Sequence, residues 1–507
     1  MSAPDPQHTL KGLQLLQEAQ RLQQGGQLAP AANAYRQAMQ LLPTHPGVVA
    51  AYATLAEQVQ DWSAAEKLYR RLGELRPDSG FESRLGLALF RQERFSECVP
   101  LFRTHLARQP DDADVRRALG FIFCRLKQWE EALECGRHLE RSAPDARSMD
   151  LVLNSLFNLG RGEELDALVD TAVVRHPDSP DVLSLCGVHL LKRSLFARGF
   201  AYQRAIRWRY DKLRPEWHEK IPADWWDGKP FAGTLLIAGE QGLGEEILSS
   251  CMLRDIVAMN QPASVECEPR LIPLFRRSFP QVEFLPRWEG HFDRRIADGI
   301  SYRRIKGLDL AYFLRRSDPM PPQAPWLVPD AERVAGLRAA YRERFPGKRL
   351  VGISWRSHRA FKEGPDKSVP PAALAPLLAR EDCAFIDLQY GDVTADLAIL
   401  GTAGMRLPWR DPQIDSTNDL DGLAAQLSAL DELVSVSNST THIAGALGVP
   451  TLLLLPKSRP VFWYWGYDAE RTPWYPSLRL RRNDDENDWL AFMQRIAGEM
   501  DRPGTPT

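Results

Sequence analysis

The polar run GEQGLGEE, residues 239–246, is the first of three loops whose residue types could do chemistry. It follows a short apolar run and precedes an amphipathic stretch, so it joins a predicted strand to a predicted helix. Its glycines, Gly242 and Gly244 among them, allow a tight turn and close backbone approach, and a helix N-terminus stabilises an anion. Glu240 and Glu245 are candidate general bases. Favourable interaction with the helix dipole explains acidic residues in a first turn equally well.

The second loop lies between two apolar runs, one beginning at Val434 and the other ending at Pro456, and it starts a short predicted helix. Its polar residues are Asn438, Ser439, Thr440, Thr441 and His442. Hydroxyls, backbone N–H groups without helical partners and a histidine at one helix start are suited to binding a phosphate or diphosphate. His442 is also a candidate catalytic residue. One Ser or Thr would be explained as a helix cap, but five consecutive polar residues exceed what a cap requires.

The third loop, GISWRS at residues 352–357, leaves a predicted strand and is followed by Lys367. Arg356 and Lys367 could neutralise the negative charge on a departing nucleotide phosphate. Taken alone, each is better explained as a surface cation. No His, Cys, Asp and Glu in these loops are spaced as metal ligands, so the sequence predicts no metal site.

The elements around these loops predict an α/β region. From Gly233 onward, short apolar runs alternate with amphipathic stretches, which indicates parallel sheets with crossover helices. The proline-rich stretch 318–330 divides the region, because proline interrupts helices and central strands. We predict two Rossmann-like halves, residues 233–325 and 326–507, with a cleft between them. Ligands of such sheets bind at the carboxyl ends of strands, where the three loops lie.

Residues 1–215 show a repeat of 33 or 34 residues. The prolines that close the repeats are Pro43, Pro77, Pro110, Pro144 and Pro177. Small residues such as Gly86 recur in the first helix of a repeat and bulky residues such as Phe102 in the second. This pattern predicts stacked helical hairpins, which bury their apolar faces only against neighbouring hairpins. Residues 216–232, rich in Pro, Gly and Trp, break the repeat and are predicted to be an ordered linker.

Composition limits the classes of function. The chain has 507 residues and a net charge of −2, which indicates neither a nucleic-acid partner nor a membrane surface. Its N-terminus lacks a signal-peptide pattern, and no apolar run is long enough to span a membrane. Seven cysteines are scattered without CxxC spacing, which favours free thiols in a reducing compartment. We therefore expect a cytoplasmic protein.

Six motifs together resemble bacterial tetratricopeptide-repeat (TPR) proteins that end in a heptosyltransferase-like glycosyltransferase domain of the GT-B type. The motifs are GEQGLGEE, GISWRS, KSVPPAALAPLL, FIDLQYGD, NSTTHIAGALGVPTLLLLP and WYPSLRL. The resemblance covers essentially the whole chain. It is strongest to flagellin-modifying TPR glycosyltransferases, which use a CMP-activated nonulosonic acid such as pseudaminic acid, and it extends broadly to TPR-fused protein O-GlcNAc transferases.

The resemblance implies an N-terminal TPR α-solenoid followed by a GT-B domain of two Rossmann-like halves. It implies roles for the polar loops: phosphate binding by Asn438, Ser439, Thr440 and His442, basic positions near the leaving group at Arg356 and Lys367, and a nucleotide base or ribose near Gln389. Glu245 matches the acidic position of the Gly-rich loop, often Asp in the family, and is the candidate base. Ser437-Asn438 replaces the usual Asp-Thr pair of heptosyltransferases, which disfavours an ADP-heptose donor.

The leading hypothesis is a metal-independent glycosyltransferase that uses a nucleotide-sugar as co-substrate and needs no further cofactor. It would transfer the sugar to Ser or Thr hydroxyls of a protein held by the TPR groove, and the resemblance suggests flagellin as that protein. One alternative is transfer to a lipid-linked or surface polysaccharide. Another is a TPR adaptor with a non-catalytic GT-B domain, and the repeat array itself could also be a spacer or a homodimerisation arm.

Overall fold

The structure is a computed structural model that describes residues 6–77, 80–210, 224–287, 289–357, 367–456, 462–467, 469–483, 485 and 488–500. The chain divides into two compact units, Met1–His176 and Pro177–Thr507. Within the described residues, no helix combines the length and the apolar character needed to cross a membrane.

The described part of the first unit consists of ten helices that pair consecutively into hairpins. They are α1 (Pro6–Gln24), α2 (Leu28–Leu41), α3 (Pro46–Gln58), α4 (Trp62–Leu75), α5 (Glu82–Arg91), α6 (Phe95–Arg108), α7 (Ala113–Arg125), α8 (Trp129–Ser142), α9 (Ala146–Asn158) and α10 (Gly162–Arg175). Aspartates cap several of these helices. Asp61 accepts a hydrogen bond from Ala64 N, and Asp145 forms a reciprocal capping box with Ser148.

The turns inside the hairpins recur with the same period. A residue in the left-handed conformation occurs at Gly26, Gln60, Glu93, Lys127 and Gly160, which are 34, 33, 34 and 33 residues apart. Glycine adopts this conformation without strain, whereas the side chains at the other three positions make it costly. The backbone therefore repeats even where the residue type does not.

Small residues make room for large ones between the helices. A Cβ atom at Gly86 would lie 2.3 Å from Cε1 of Phe102, which is 2% exposed. A Cβ atom at Gly120 would lie 2.4 Å from Cδ2 of Leu151 in the next hairpin. The helices can approach closely only because these positions lack side chains. The predicted alternation of small and bulky residues thus forms the contacts within and between hairpins.

The second unit begins with a further hairpin, α11 (Pro180–Lys192) and α12 (Phe196–Tyr210), which lies within the predicted repeat region 1–215. Its aromatic residues pack on the far end of the chain. The ring centroids of Phe196 and Trp474 are 5.8 Å apart, and those of Phe200 and Trp463 are 5.5 Å apart. These contacts place the hairpin in the second unit. Residues 211–223, which include much of the predicted linker, lie outside the described residues.

Two parallel sheets form the rest of the second unit. The first has the order β3-β2-β1-β4 and the second the order β6-β5-β7-β8-β9. The strands are β1 (Thr234–Ala238), β2 (Ala263–Cys267), β3 (Glu283–Pro286), β4 (Tyr302–Lys306), β5 (Arg349–Ser354), β6 (Cys383–Asp387), β7 (Glu432–Val436), β8 (Thr451–Pro456) and β9 (Leu478–Asn483). All pairings are parallel, for example Leu235 with Ala263 and Val351 with Glu432.

Helices connect the strands in both sheets. They are α13 (Leu243–Ser250), α14 (Leu253–Ala258), α15 (Ile272–Ser278), α16 (His291–Ala297), α17 (Leu310–Leu314), α18 (Ala331–Arg344), α19 (Ala375–Leu378), α20 (Thr394–Thr402), α21 (Leu420–Ala429), α22 (Ser439–Leu447) and α23 (Trp489–Glu499). The predicted fold class, a TPR-like array of helical hairpins followed by an α/β region with two parallel sheets, is confirmed.

One buried tryptophan ties the two halves together. The backbone N–H of Trp326 donates to Ala446 O at 2.9 Å, and its indole Nε1 donates to Ser250 Oγ at 2.9 Å. Ser250 ends α13 beside the first sheet, and Ala446 lies in α22 beside the second. A continuous apolar core that includes Leu235 and Leu433 runs through both sheets.

We predict that Phe102→Ala lowers the free energy of unfolding of the full chain by about 3–5 kcal/mol, because it leaves a cavity between α5 and α6. The matched control is Phe121→Ala, since that ring is 49% exposed and packs only edge-on against Phe90 and Phe95. It should cost less than about 1 kcal/mol. Urea unfolding followed by circular dichroism measures both. Equal losses would contradict the packing described here.

Candidate functional site

The start of α13 and the start of α22 meet between the two sheets. A Cβ atom at Gly244, the second residue of α13, would lie 2.6 Å from Cδ2 and 2.8 Å from Nε2 of His442. β1 ends just before the first of these helices and β7 just before the second. The carboxyl ends of one strand from each sheet therefore adjoin, and the first and second polar loops come together.

His442 fills the space between these helices. It is 3% exposed, and its Nδ1 lies 2.7 Å from the hydroxyl oxygen of Tyr475. The rings of Tyr464, Trp465 and Tyr475 lie 5.1–5.4 Å from the imidazole, centroid to centroid. Burial lowers the pKa of His442 to about 3. The imidazole is therefore neutral near pH 7 and supplies no positive charge. Its contacts with the surrounding aromatic rings are those of a packing residue.

Asn438 joins the start of α22 to the third loop. It is the N-cap residue of α22, and its Oδ1 accepts a hydrogen bond from Thr441 N at 3.3 Å. Its Nδ2 donates to Ser354 Oγ at 2.8 Å and to Arg356 O at 3.3 Å. The side chain is buried, with partners for both ends of its amide. It fixes the helix start beside the loop that leaves β5.

The first turn of α22 keeps hydrogen-bonding capacity for a ligand. Thr441 Oγ1 donates to Val436 O at 2.8 Å. Thr440 is buried, and its Oγ1 has no hydrogen-bond partner among the residues that the structure describes. Ser439 is half-buried. A helix provides no internal acceptor for its first N–H groups, and the Asn438 cap takes only that of Thr441. The N–H groups of Ser439 and Thr440 have no acceptor within the helix, and N–H groups at such a position can bind an anion.

Gln389 organises the third loop from inside the protein. It is fully buried, and its Oε1 accepts from Trp355 N at 3.0 Å and Arg356 N at 2.8 Å. Its Nε2 donates to Arg356 O at 3.1 Å. The guanidinium of Arg356 pairs with Asp396, Nη1 to Oδ2 at 3.1 Å. The structure therefore places Gln389 beneath Arg356, with both ends of its amide bonded to the protein.

Lys367 reaches the same region through aromatic rings. Its Nζ lies 4.1 Å from the ring centroid of Phe462, which stacks on Tyr464 at 5.2 Å. Tyr464 in turn packs against His442. This series of contacts connects Lys367 to α22. His358, between Arg356 and Lys367 in the sequence, lies outside the described residues.

A buried ion network shapes the glycine-rich loop. Arg287 Nη1 donates to Glu240 O at 2.6 Å and to Glu246 Oε1 at 2.7 Å. Glu246 Oε2 accepts from Glu268 N at 2.8 Å, and Glu240 Oε1 accepts from Leu308 N at 2.7 Å. Burial raises the pKa of Glu246 to about 7, although Arg287 opposes the shift. Glu240 and Glu246 thus hold the loop in place.

Glu245 differs from its two acidic neighbours. It is half-buried in the first turn of α13, directly after Gly244, where an added Cβ atom would lie 2.6 Å from Cδ2 of His442. Glu240 and Glu246 contact Arg287, and Glu245 lies in the first turn of α13 next to the contact between the two halves. This position suits a carboxylate that accepts a proton from a bound hydroxyl.

Two residues outside the three polar loops determine the site geometry, and sequence reasoning missed Arg287. Arg287 follows β3 and holds the glycine-rich loop, and its position at the carboxyl end of a strand was the available signal. Tyr475 orients His442, and it lies within the WYPSLRL motif. Nothing in their local sequence indicates the partner, because each contact joins residues more than 30 positions apart.

We predict that Gly244→Ala destabilises the chain by about 1–3 kcal/mol, because the added methyl group overlaps a ring that Tyr475 and the packed aromatics hold in place. The matched control is Gly336→Ala in α18, where a Cβ atom meets nothing within 4 Å. It should stabilise the chain by about 0.5–1 kcal/mol through helix propensity. Thermal unfolding of both variants measures the difference, and two shifts of the same sign would contradict the close contact.

Comparisons with known proteins bear on the whole chain and on its repeats. No protein-family model matches the chain. YrrB, a TPR protein described as having an unusual peptide-binding site, is 16% identical, covers 33% of this chain and 88% of its own, and has a TM-score of 0.31. MamA from Desulfovibrio magneticus RS-1 is 15% identical, covers 35% of this chain and 100% of its own, and has a TM-score of 0.31. Structural similarity this weak does not indicate what the chain binds.

A relative covers both units. Protein FlbA of Caulobacter vibrioides is 30% identical to this chain over an alignment of 493 residues, and the match covers 93% of this chain and 81% of FlbA. The match therefore spans the helical repeats and the α/β region together. The chain belongs to the family of protein FlbA.

Proposed function

We propose that this chain is a glycosyltransferase that moves a sugar from a nucleotide-sugar donor to a hydroxyl group of a protein. The observation that carries the proposal is the meeting of two helix starts between the two sheets. One provides backbone N–H groups for an anion, and the other provides a carboxylate at Glu245. A transferase needs these two functions close together, since a phosphate leaves while an acceptor hydroxyl loses its proton.

The start of α22 stabilises the departing phosphate. The N–H groups of Ser439 and Thr440 donate to phosphate oxygens, and the helix dipole adds a favourable field. The Thr440 hydroxyl, which has no partner among the described residues, gains an acceptor when the ligand binds. Arg356 and Lys367 contribute positive charge from the adjoining loop. His442 acts as a positioning residue, because a neutral buried imidazole holds α22 against α13 without touching the phosphate.

Glu245 accepts the proton of the acceptor hydroxyl as that oxygen attacks the anomeric carbon of the sugar. The bond from that carbon to the phosphate oxygen breaks in the same event, and the nucleotide leaves with the negative charge. Glu240 supports this arrangement from the loop, where Leu308 and Arg287 hold it. Gln389 and Asn438 fix the backbone around Arg356, so that both polar loops keep their positions.

The helical hairpins hold the protein acceptor. Repeat arrays of this class present extended surfaces that bind other chains. The resemblance to flagellin-modifying TPR glycosyltransferases suggests flagellin as the acceptor and a CMP-nonulosonic acid, such as CMP-pseudaminic acid, as the donor. A bound nucleotide without turnover on any protein would instead support the adaptor alternative.

The test combines donor binding with turnover on flagellin. We expect the purified chain to bind at least one CMP-, UDP-, GDP- or ADP-sugar and to release the nucleotide faster when flagellin is present. Glu245→Gln should lower kcat by about 10²–10⁴-fold, because the amide cannot accept the proton, and should leave donor affinity nearly unchanged. The matched control is Glu343→Gln, an exposed residue near the end of α18, which should retain wild-type kcat.

Two outcomes would contradict the proposal. Full turnover by Glu245→Gln would exclude this residue as the base. Failure of the wild-type chain to bind any of the four classes of donor, measured by thermal shift and by calorimetry, would exclude the glycosyltransferase assignment itself.

A further inference from the structure

Partly exposed aromatic rings lie side by side on the first unit. Phe121 is 49% exposed, and its ring centroid lies 5.6 Å from that of Phe90 and 6.4 Å from that of Phe95. The centroids of Phe90 and Phe95 are 5.8 Å apart. The three rings belong to α5, α6 and α7, so they cross the boundary between two neighbouring hairpins. Adjoining exposed aromatic surface of this kind is typical of a site that binds another molecule.

An arginine lies over a ring on either side of this group. The guanidinium carbon of Arg91 is 5.6 Å from the ring centroid of Trp62, at the start of α4. The guanidinium carbon of Arg125 is 5.9 Å from the ring centroid of Phe95. Both arginines are exposed, and Arg91 directly follows Phe90. Together these residues form an aromatic–arginine strip that consists of Trp62, Phe90, Arg91, Phe95, Phe121 and Arg125.

The two arginines of the strip differ from others that connect neighbouring hairpins. Arg84, for example, pairs with Glu57 of the preceding hairpin at 2.8 Å. Arg91 and Arg125 also reach the preceding hairpin, but the group that each contacts there is an aromatic ring. Neither forms an ion pair or a hydrogen bond with any residue that the structure describes. Their positive charges are therefore not neutralised by a carboxylate of the described first unit.

The carboxylates near the strip bind other arginines. Glu66 and Glu97, which lie near the starts of α4 and α6, both pair with Arg70 and Arg94. Glu93, on the turn between α5 and α6, is exposed and pairs with neither arginine of the strip. The charge of the strip is thus positive, and its own neighbours leave it so.

This geometry leaves the arginines able to bind a carboxylate. A ring face attracts the charge of a guanidinium, and it leaves the N–H donors in the guanidinium plane available. Those donors bind a carboxylate through two parallel hydrogen bonds. Arginine and large aromatic residues are also the types that contribute most binding energy in protein interfaces. The complement of the strip is therefore an acidic chain with apolar side chains.

We propose that the aromatic–arginine strip binds an extended segment of the protein acceptor in which carboxylates flank an apolar or aromatic side chain. The apolar side chain packs on Phe121, and the carboxylates bind Arg91 and Arg125. The inference rests on the proposed function and deepens it, because it states which part of the hairpin array holds the acceptor and what chemical character the bound segment has.

The test selects peptides that bind the full chain from a random library displayed on phage. We expect the selected peptides to be enriched in Asp and Glu on both sides of a large apolar residue. The most enriched peptide is then synthesised with a fluorescent label, and its affinity is measured by fluorescence anisotropy. A variant that combines Arg91→Gln with Arg125→Gln should bind it at least ~10-fold more weakly, because charge-assisted hydrogen bonds are lost. Phe121→Ala should weaken binding by a similar factor.

Two exposed residues of the same unit provide matched controls. Arg36→Gln removes an arginine of α2 that lies over no ring, and Val174→Ala shortens a side chain of α10 that is 79% exposed. Both should keep the wild-type affinity. Circular dichroism checks that every variant is folded, and the single substitutions replace the combined variant if it is not.

Three outcomes would overturn the strip as a binding surface. The first is a selection that yields no enriched peptide or peptides without added carboxylates. The second is equal affinity of the wild type and the strip variants. The third is a wild-type dimer in light scattering that Phe121→Ala converts to a monomer, because a second copy of the chain would then cover the strip. None of these results depends on donor binding or turnover, so each would leave the proposed transferase activity standing.

Discussion

The approach of α13 to α22 at Gly244 and His442 is the constraint on which the site depends. No side chain separates the two helices at this point, so a glycine must occupy the first and a flat ring the second. The ring is kept in one orientation by Tyr475 and by the aromatic residues that surround it. Trp326 joins the other ends of the same two helices. These contacts fix the distance between the two helix starts.

The polar residues of the three loops, with Gln389 beneath the third, divide into two groups. Asn438, Gln389 and Glu246 use their hydrogen-bonding atoms within the protein, and together they hold the loops in place. Ser439 and Thr440 retain donors at the helix start, because a helix cannot satisfy its own first N–H groups. The first group is as necessary as the second, since a phosphate site works only when its donors are already oriented.

The sequence predicted the fold class and the regions in which polar residues gather. The 33- or 34-residue period reflects a physical requirement, because each hairpin must present small and bulky residues to its neighbours. Parallel strands likewise require loops at their carboxyl ends, which located Glu245, Arg356 and Ser439. What the sequence could not predict was burial. His442 and Gln389 are polar residues that follow strands, yet both are enclosed by contacts with residues more than 30 positions away.

The local sequence also did not predict the burial of Lys192. It ends an apolar helical stretch in a region with a clear repeat pattern, so the local sequence gives it no role. It is buried against the ring of Tyr467, 275 positions later in the chain. The same long-range packing accounts for the last hairpin, which lies within the predicted repeat region and packs within the second compact unit.

The central claim is that an anionic leaving group binds at the start of α22, against α13. A crystal structure of the full chain with a bound nucleoside mono- or diphosphate tests it most directly. We predict phosphate oxygens at about 2.7–3.2 Å from the backbone nitrogens of Ser439 and Thr440. A nucleotide bound elsewhere, with these two N–H groups left to solvent, would contradict the account.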